Sequence, residues 1–400
     1  MNSAKKILVL VPDGVGIKNY MYARVFQNPD INITLFHNFD SDTIRHINRE
    51  MTTHSNIEIP AYKESLREKF LRELINVSRL RYNHKRVNNP TILEFRKSGH
   101  KSIKLALFYR LINILSVGIR SYKTILWLEK KYDLAIRRNS FYTQLTEILT
   151  TESPDALFCT HQRALKAPTV FAAAKDLGIP TTTVIYSWDN IPKARLALRS
   201  DHYLVWSDYM KRELQLFYPE ISSEQITTTG TPQFEFYKDP ENLIDRATFF
   251  KKYELDTSRK LLCFSGDDEL TSPYDPQYLE DVAEAITQAG KESEYQIVFR
   301  RCPVDVSGRY DGVVSKFPKL IVEIPPLWNF NSKIWSAVYP TYDDVKLLVS
   351  LAYYTDAVIN VGSTMAFDFG MFQKPCFYIN YDQPNSSKWT VDVIYRFQHF

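Results

Sequence analysis

The stretch YYTDAVINVGSTMAFDFGMFQKPCFYINYD, Tyr353–Asp382, decides the fold class. A helical pattern ends, the apolar run Ala357–Asn360 follows, and Gly362-Ser363-Thr364 turns the chain into a second helical segment, Ser363–Phe372. Cys376–Asn380 then returns as another apolar run. Short apolar runs on both sides of a helix predict parallel strands buried on both faces. Glycine allows a tight strand-to-helix turn, and Ser and Thr cap the helix that follows. Free N–H groups at such a turn attract phosphate. Gly362, Ser363 and Thr364 are therefore candidate donor-phosphate ligands, and Asp368 is a candidate acceptor of ribose hydroxyls. A plain N-cap on a structural helix uses the same residues.

The same alternation extends outward. Leu261–Phe264, Gln296–Arg300 and Leu320–Val322 read as strands, with helices at Gln277–Ala289 and Asp343–Tyr354. An earlier series holds strand-like runs at residues 5–11, Ile31–Phe36, Ala156–Cys159, Thr182–Tyr186 and Tyr203–Val205. The helix Ala164–Leu177 among them is closed by Gly178 and Pro180. Strands alternating with helices predict α/β architecture: two Rossmann-like domains facing a cleft. The first spans 1–235, a linker 236–260 lies in the polar stretch Tyr237–Lys260, which reads as a linker plus a short helix, and the second spans 261–400. The end of the chain, Val391–Phe400, reads as a helix.

Composition narrows the class. The chain has 400 residues, 44% hydrophobic and 24% charged, which suits folded domains and excludes global disorder. Cys159, Cys263, Cys302 and Cys376 have neither zinc-like nor redox-like spacing, so the sequence predicts no metal and a reducing, cytoplasmic setting. The first apolar run is too short for a signal peptide, and no stretch reaches the ~20 apolar residues of a membrane span.

The net charge of +4 hides an asymmetry: residues 61–131 carry 17 Lys/Arg and 5 Asp/Glu. This basic insertion, 62–132, contains two amphipathic helix candidates, Lys63–Lys85 and Ser102–Lys131. In the second, Ile103, Leu107, Leu111 and Leu115 recur at helical spacing beside Lys101, Lys104, Arg110, Arg120 and Lys123. Two readings stand: a solvated helical pair over the sheet, or a surface for anionic lipid or a polyanionic acceptor. No helix-turn-helix, zinc or base-stacking signature points to nucleic acid.

Four further motifs sit at predicted strand ends. QIVFRRCPVD (Gln296–Asp305) offers Arg300 and Arg301 to a diphosphate. LLCFSGDDELTSPYD (Leu261–Asp275) places Ser265 and Gly266 where ligands collect at a sheet's carboxyl edge. In TVIYSWDNIPKA (Thr183–Ala194), Asp189 beside Trp188, Asn190 and Lys193 is a candidate general base, because burial raises a carboxylate's pKa. PDGVGIKNY (Pro12–Tyr20) supplies a rival base, Asp13, with Gly14, Gly16, Lys18 and Asn19 as candidate acceptor ligands. His161 and Arg163, after Ala156–Cys159, reach the same edge, and His161 is a third candidate base.

The block Tyr353–Asp382 resembles the nucleotide-donor half of GT-B glycosyltransferases, and the resemblance covers mainly residues 180–385. The resemblance is to the branch with CDP-glycerol glycerophosphotransferases and capsule or surface-polysaccharide transferases. The residues that carry it are Asp356, Ile359, Ser363, Thr364, Asp368, Lys374 and Pro375, together with the arginine loop and the Trp188–Lys193 segment. Cys302 departs from the branch, which has His there. The resemblance implies a metal- and cofactor-independent, inverting transfer of sugar from a nucleotide-sugar donor to a hydroxyl of a glycan or lipid-linked acceptor. Polysaccharide biosynthesis at the inner face of the cell membrane is the implied setting. CDP-polyol phosphotransfer of teichoic-acid type, or a non-catalytic sugar-binding relative, are the alternatives.

Overall fold

A computed structural model describes residues 4–400 except 15, 51–54, 98–101, 331–337, 385, 387, 388, 398 and 400. Lys101 and two residues of the expected terminal helix thus lie outside the described residues. The chain divides into two compact units. The first is Met1–Thr231 joined by Arg396–Phe400; the second comprises Pro232–Ser332 and Val338–Tyr395.

In the first unit seven strands form one parallel sheet: β1 (Lys5–Val11), β2 (Ile31–His37), β3 (Ser55–Glu58), β4 (Ala156–Cys159), β5 (Thr181–Val184), β6 (His202–Val205) and β7 (Ile226–Thr228). Their order is β3-β2-β1-β4-β5-β6-β7. Leu8, Val9, Leu10 and Val11 of β1 are all buried, as a central strand covered on both faces must be. The chain steps outward from β1 to β3, then restarts on the other side of β1 with β4. A crevice at the carboxyl ends of β1 and β4 follows from that reversal.

The helices of this unit are α1 (Ser41–Glu50), α2 (Leu66–Arg86), α3 (Ile103–Gly118), α4 (Tyr122–Ile136), α5 (Ser140–Glu152), α6 (Ala167–Asp176) and α7 (Asp208–Phe217). A capping box starts α2, with the Ser65 hydroxyl accepting from the Glu68 N–H and the Glu68 carboxylate from the Ser65 N–H. The single helix expected over Ser102–Lys131 is broken into α3 and α4 at Gly118–Ser121. Their apolar faces pack together as Leu74, Val77, Ile112, Ile125, Leu128 and Tyr132, and Ala172 of α6 joins that cluster.

Part of the insertion's positive charge is consumed internally. Arg79 is fully buried, donates to Glu129 at 2.6 Å and Glu220 at 3.2 Å, and lies 4.3 Å from the Tyr218 ring centroid. Arg72 pairs with Glu64 and Glu73. No helix among the described residues is long and apolar enough to cross a membrane.

The second unit repeats the plan with five parallel strands. In the stretch expected as a linker plus a short helix, α8 (Arg246–Lys252) is a short helix that buries Phe249 and Phe250, and Phe236 and Tyr237 before it are also buried. Aromatic residues in a polar stretch mark a docked segment. Then come β8 (Lys260–Ser265), α9 (Asp275–Gln288), β9 (Tyr295–Arg300), α10 (Asp311–Lys316) and β10 (Ile321–Glu323). A short antiparallel ribbon follows, β11 (Trp328–Asn329) with β12 (Tyr339–Pro340), then α11 (Tyr342–Tyr354), β13 (Ala357–Asn360), α12 (Met365–Gly370), β14 (Cys376–Tyr378) and α13 (Asp392–Tyr395). The sheet order is β10-β9-β8-β13-β14, so its reversal falls between β8 and β13. The expected terminal helix Val391–Phe400 shrinks to the single turn α13, after which the tail belongs to the first unit.

Candidate functional site

Each sheet gathers polar side chains at its reversal point. In the first unit β1 ends at Val11-Pro12, and the Pro12 carbonyl accepts from Asn38 Nδ2 at 3.1 Å. The chain then folds into a π-helical turn, Ile17–Met21, against the end of β4. Gly16 is required there: a Cβ would lie 2.3 Å from Thr160 Oγ1. That close approach sets the Asp13 loop beside β4. His161 Nδ1 meets Asp13 Oδ2 at 2.7 Å, with the two side chains 16% and 14% exposed. A carboxylate can only accept, so Nδ1 carries the donated proton and Nε2 is left as the basic nitrogen. The Tyr186 ring lies 5.4 Å from the imidazole.

Two of the three candidate bases are thus one hydrogen-bonded dyad. Around it, Gly14 and Asn19 are buried and Lys18 is half-buried on the π turn. Gln162 accepts from the Tyr186 N–H at 3.0 Å and donates to Asn190 Oδ1 at 3.3 Å; the exposed Arg163 also donates to Asn190 Oδ1, at 3.2 Å. Asn190 Nδ2 donates to Asp189 at 3.0 Å.

The third candidate, Asp189, is engaged otherwise. Burial pushes its carboxyl up, but the Lys193 ammonium bonded to it outweighs burial and holds it at about 2. A carboxylate so acidic is a weak proton acceptor. Lys193 is spent on that pair and on the Phe95 ring, 5.3 Å away. Trp188 is buried against the chain's own tail, 5.7 Å from the Phe397 ring and 5.3 Å from the His399 ring, which corrects its expected place against an acceptor.

Sequence reasoning missed Glu213 on α7. It is 1% exposed, and its Oε2 has no hydrogen-bond partner among the described residues. Burial, reinforced by the nearby Asp189 charge, pushes it up to about 8. The signal was present: Met210, Glu213, Leu214 and Phe217 form the helix's buried stripe. Its raised pKa sets a pH dependence. Between about 4.5 and 8 the folded state keeps a proton that the unfolded state releases, so stability falls as pH rises through that window and levels above it. Glu213→Gln is therefore expected to gain in Tm over wild type as pH rises from 5 to 8. A gap that stays constant across those melts would refute an ionisable Glu213 core.

In the second unit the reversal point joins β8 to β13. Ser265 Oγ donates to Ser363 Oγ at 2.9 Å, the Ser363 N–H donates to Asn360 Oδ1 at 2.8 Å, and Ser363 Oγ accepts from the Met365 N–H at 3.3 Å. Ser363 therefore caps α12, while Thr364, expected as a cap, is already helical and makes no side-chain cap bond. The glycines serve packing: a Cβ on Gly266 would lie 2.8 Å from Tyr310 Oη, and one on Gly362 2.4 Å from Ile394 Cγ2.

Three expected donor ligands are placed differently. Asp368 is buried and accepts from Gln233 Nε2 at 3.0 Å, so it presents no ribose-facing carboxylate. Arg300 is 3% exposed and bonded to Asp344 at 2.7 Å, which closes it to a diphosphate. Arg301 is held by Glu323 and, at 3.0 Å, by Asp311. Burial pushes the Cys302 thiol up to about 12, so it is no thiolate. In the acidic loop Asp268 caps its own turn through the Leu270 N–H at 2.9 Å. No three His, Cys, Asp or Glu side chains among the described residues gather as metal ligands.

No known family matches the sequence, and no curated protein matches it either. Solved structures do match. A putative UDP-N-acetylglucosamine 2-epimerase from Listeria monocytogenes aligns over 95% of this chain and 80% of its own, at 9% identity and a TM-score of 0.54. MnaA from S. aureus, solved with UDP, aligns over 94% and 79% at 12% identity and a TM-score of 0.51. A glycosyltransferase from Rickettsia africae aligns over 94% and 79% at 11% identity and a TM-score of 0.50. At such identities the likeness is one of fold: a GT-B-type pair of Rossmann-like units.

Proposed function

We propose that this chain is a nucleotide-sugar enzyme, a glycosyltransferase of surface-glycan assembly whose general base is the Asp13–His161 dyad. The observation that carries the reading is the 2.7 Å Nδ1–Oδ2 contact at the reversal point of the first sheet. His161 Nε2 takes the proton of the acceptor hydroxyl while the new oxygen–carbon bond forms. The bond from the sugar's anomeric carbon to the diphosphate breaks, and its electron pair leaves on phosphate oxygen. Nucleotide phosphate is assigned to the Ser265–Ser363 turn of the second unit, where the Ser363 hydroxyl accepts from Ser265 Oγ and the Met365 N–H and keeps its own proton to donate. The donor is a substrate, and neither metal nor cofactor takes part.

A second reading, epimerisation of a UDP-sugar, is favoured by the printed identities of the Listeria and other matched structures. It needs no acceptor. Donor incubated alone therefore separates the two: sugar inversion supports epimerisation, while turnover only with an added hydroxyl acceptor supports transfer. Phosphorus in the product would instead indicate the CDP-polyol phosphotransfer of the glycerophosphotransferase-like branch.

Nucleotide recognition is tested by thermal shift against UDP, GDP, CDP, CMP and TDP conjugates. A ligand at about 100 times its Kd adds about 2.7 kcal/mol of apparent stability. Replacing Ser265 and Ser363 together with Ala is expected to weaken the best ligand by about 1–3 kcal/mol. A panel in which nothing shifts the melt would remove the nucleotide from the reading.

A further inference from the structure

Within the basic insertion, α3 is built unlike its neighbours. It buries only Tyr109, Ile112 and Ser116. Ile103, Leu107, Leu111, Ile114, Leu115 and Val117 are 42–78% exposed. Residues 103, 107, 111 and 114–115 follow helical spacing, so they form one continuous apolar stripe of a kind water-facing helices rarely carry. Trp127 of α4 is exposed as well, with Lys131 Nζ 5.2 Å from its ring.

At the C-terminal end of that stripe lies a cavity of about 370 Å³. Its lining includes Arg81, His84, Lys85, Arg86 and Arg120, with no carboxylate. Val117 belongs to both the stripe and the cavity wall. Arg81 is oriented by Ser116 Oγ, which accepts from Nε at 2.8 Å, and by the Asn113 carbonyl at 3.3 Å. Lys85, Arg86 and Arg120 are exposed and pair with no carboxylate among the described residues. His84 Nδ1 is buried without a hydrogen-bond partner among the described residues; burial and then the crowding cations Lys85, Arg81 and Arg96 lower its pKa. The insertion's charge is thus partitioned: Arg72 and Arg79 are neutralised within the fold, whereas the cavity cations have no counter-ion among the described residues.

We propose that α3 and this cavity form a single docking surface for an anionic lipid bilayer. The stripe enters the boundary between headgroups and acyl chains, and the cavity receives a lipid phosphate. An aliphatic stripe joined to an unneutralised cationic pocket complements that surface in both respects. A second copy fits less well, because symmetric pairing would bring uncompensated cations together. Single-stranded nucleic acid fits less well too, since the stripe is aliphatic and the single exposed ring of Trp127, with Lys131 over it, is no run of stacking surfaces for successive bases.

The test uses the full chain and vesicles, without any nucleotide, so its result is independent of the catalytic reading. Wild type is expected to float with phosphatidylglycerol-containing vesicles, not with pure phosphatidylcholine, and to release at about 0.5 M salt, where charges are screened within a few Å. Lys85→Gln/Arg86→Gln/Arg120→Gln and, separately, Leu107→Gln/Ile114→Gln are each expected to lower binding by about tenfold or more. All five positions are exposed, so unchanged helical circular dichroism checks the fold. Equal binding to neutral and anionic vesicles, or variants that bind like wild type, would overturn the proposal. So would a concentration-dependent dimer abolished by the stripe variant, which would identify a second copy as the occupant.

Discussion

His161→Ala is expected to lower turnover by about 10²–10⁴ while leaving donor affinity nearly unchanged, because a positioned base acts in the transition state and not on the bound donor. The geometry separates the roles within the pair. Asp13 accepts from Nδ1, so in the proposed reading it is the positioning residue that fixes the tautomer and the direction of Nε2. Asp13→Asn keeps the volume but can offer an N–H to the ring, permitting the wrong tautomer; a loss on the order of 10² is expected, together with an altered pH profile of kcat/KM. Asp189→Asn is the contrasting control. Its carboxylate is already held by Lys193, so its removal is expected to disturb stability more than the chemical step. Kinetics with saturating donor decide the matter. If Asp189→Asn loses turnover while His161→Ala retains it, the base is Asp189 and the dyad is structural.

That pairing exposes the limit of sequence reading. Asp13 and His161 stood in the sequence as rivals, because both follow apolar strands and reach one sheet edge. Nothing local could say that residues 148 apart share a hydrogen bond. The strands themselves were legible, since a parallel strand covered on both faces must be an unbroken apolar run, as Lys5–Val11 and Lys260–Ser265 nearly are. Short edge strands such as Ser55–Glu58, which is mostly exposed, carry no such run and leave no apolar signal in the sequence. Gly118 alone is a weak break against sixteen residues of helical pattern, so the sequence of the basic segment reads as one long helix. Ionic partners were least legible: an arginine at a strand end looks identical whether it awaits phosphate or already holds a buried aspartate.

Arg300 shows what such a buried partner implies, and its removal is expected to have the largest effect on stability. Asp344, 1% exposed, accepts from Arg300 Nη2 at 2.7 Å, the Leu327 N–H at 2.8 Å and Trp328 Nε1 at 3.0 Å. Arg300 Nη1 also donates to the Pro325 carbonyl at 3.2 Å. The pair therefore ties the end of β9 to the start of α11 and to the turn entering the β11–β12 ribbon. Replacing Arg300 with Met strands a buried carboxylate, and replacing Asp344 with Leu strands a buried guanidinium. Each is expected to cost about 3–5 kcal/mol. That is a large share of the ~5–15 kcal/mol that typically holds a domain folded. The double replacement leaves neither charge unpaired and is expected to cost well under the sum of the two. Urea titration reports the loss, and hydrogen exchange of peptides spanning β9 and Pro325–Trp328 localises it, without requiring a two-unit chain to unfold in one step. Arg300→Lys then separates stability from recognition: a phosphate ligand would lose donor affinity at unchanged stability, whereas a structural partner loses stability first. Single variants within about 1 kcal/mol of wild type, or strictly additive losses, would show that the pair contributes little and would reopen Arg300 as a donor ligand.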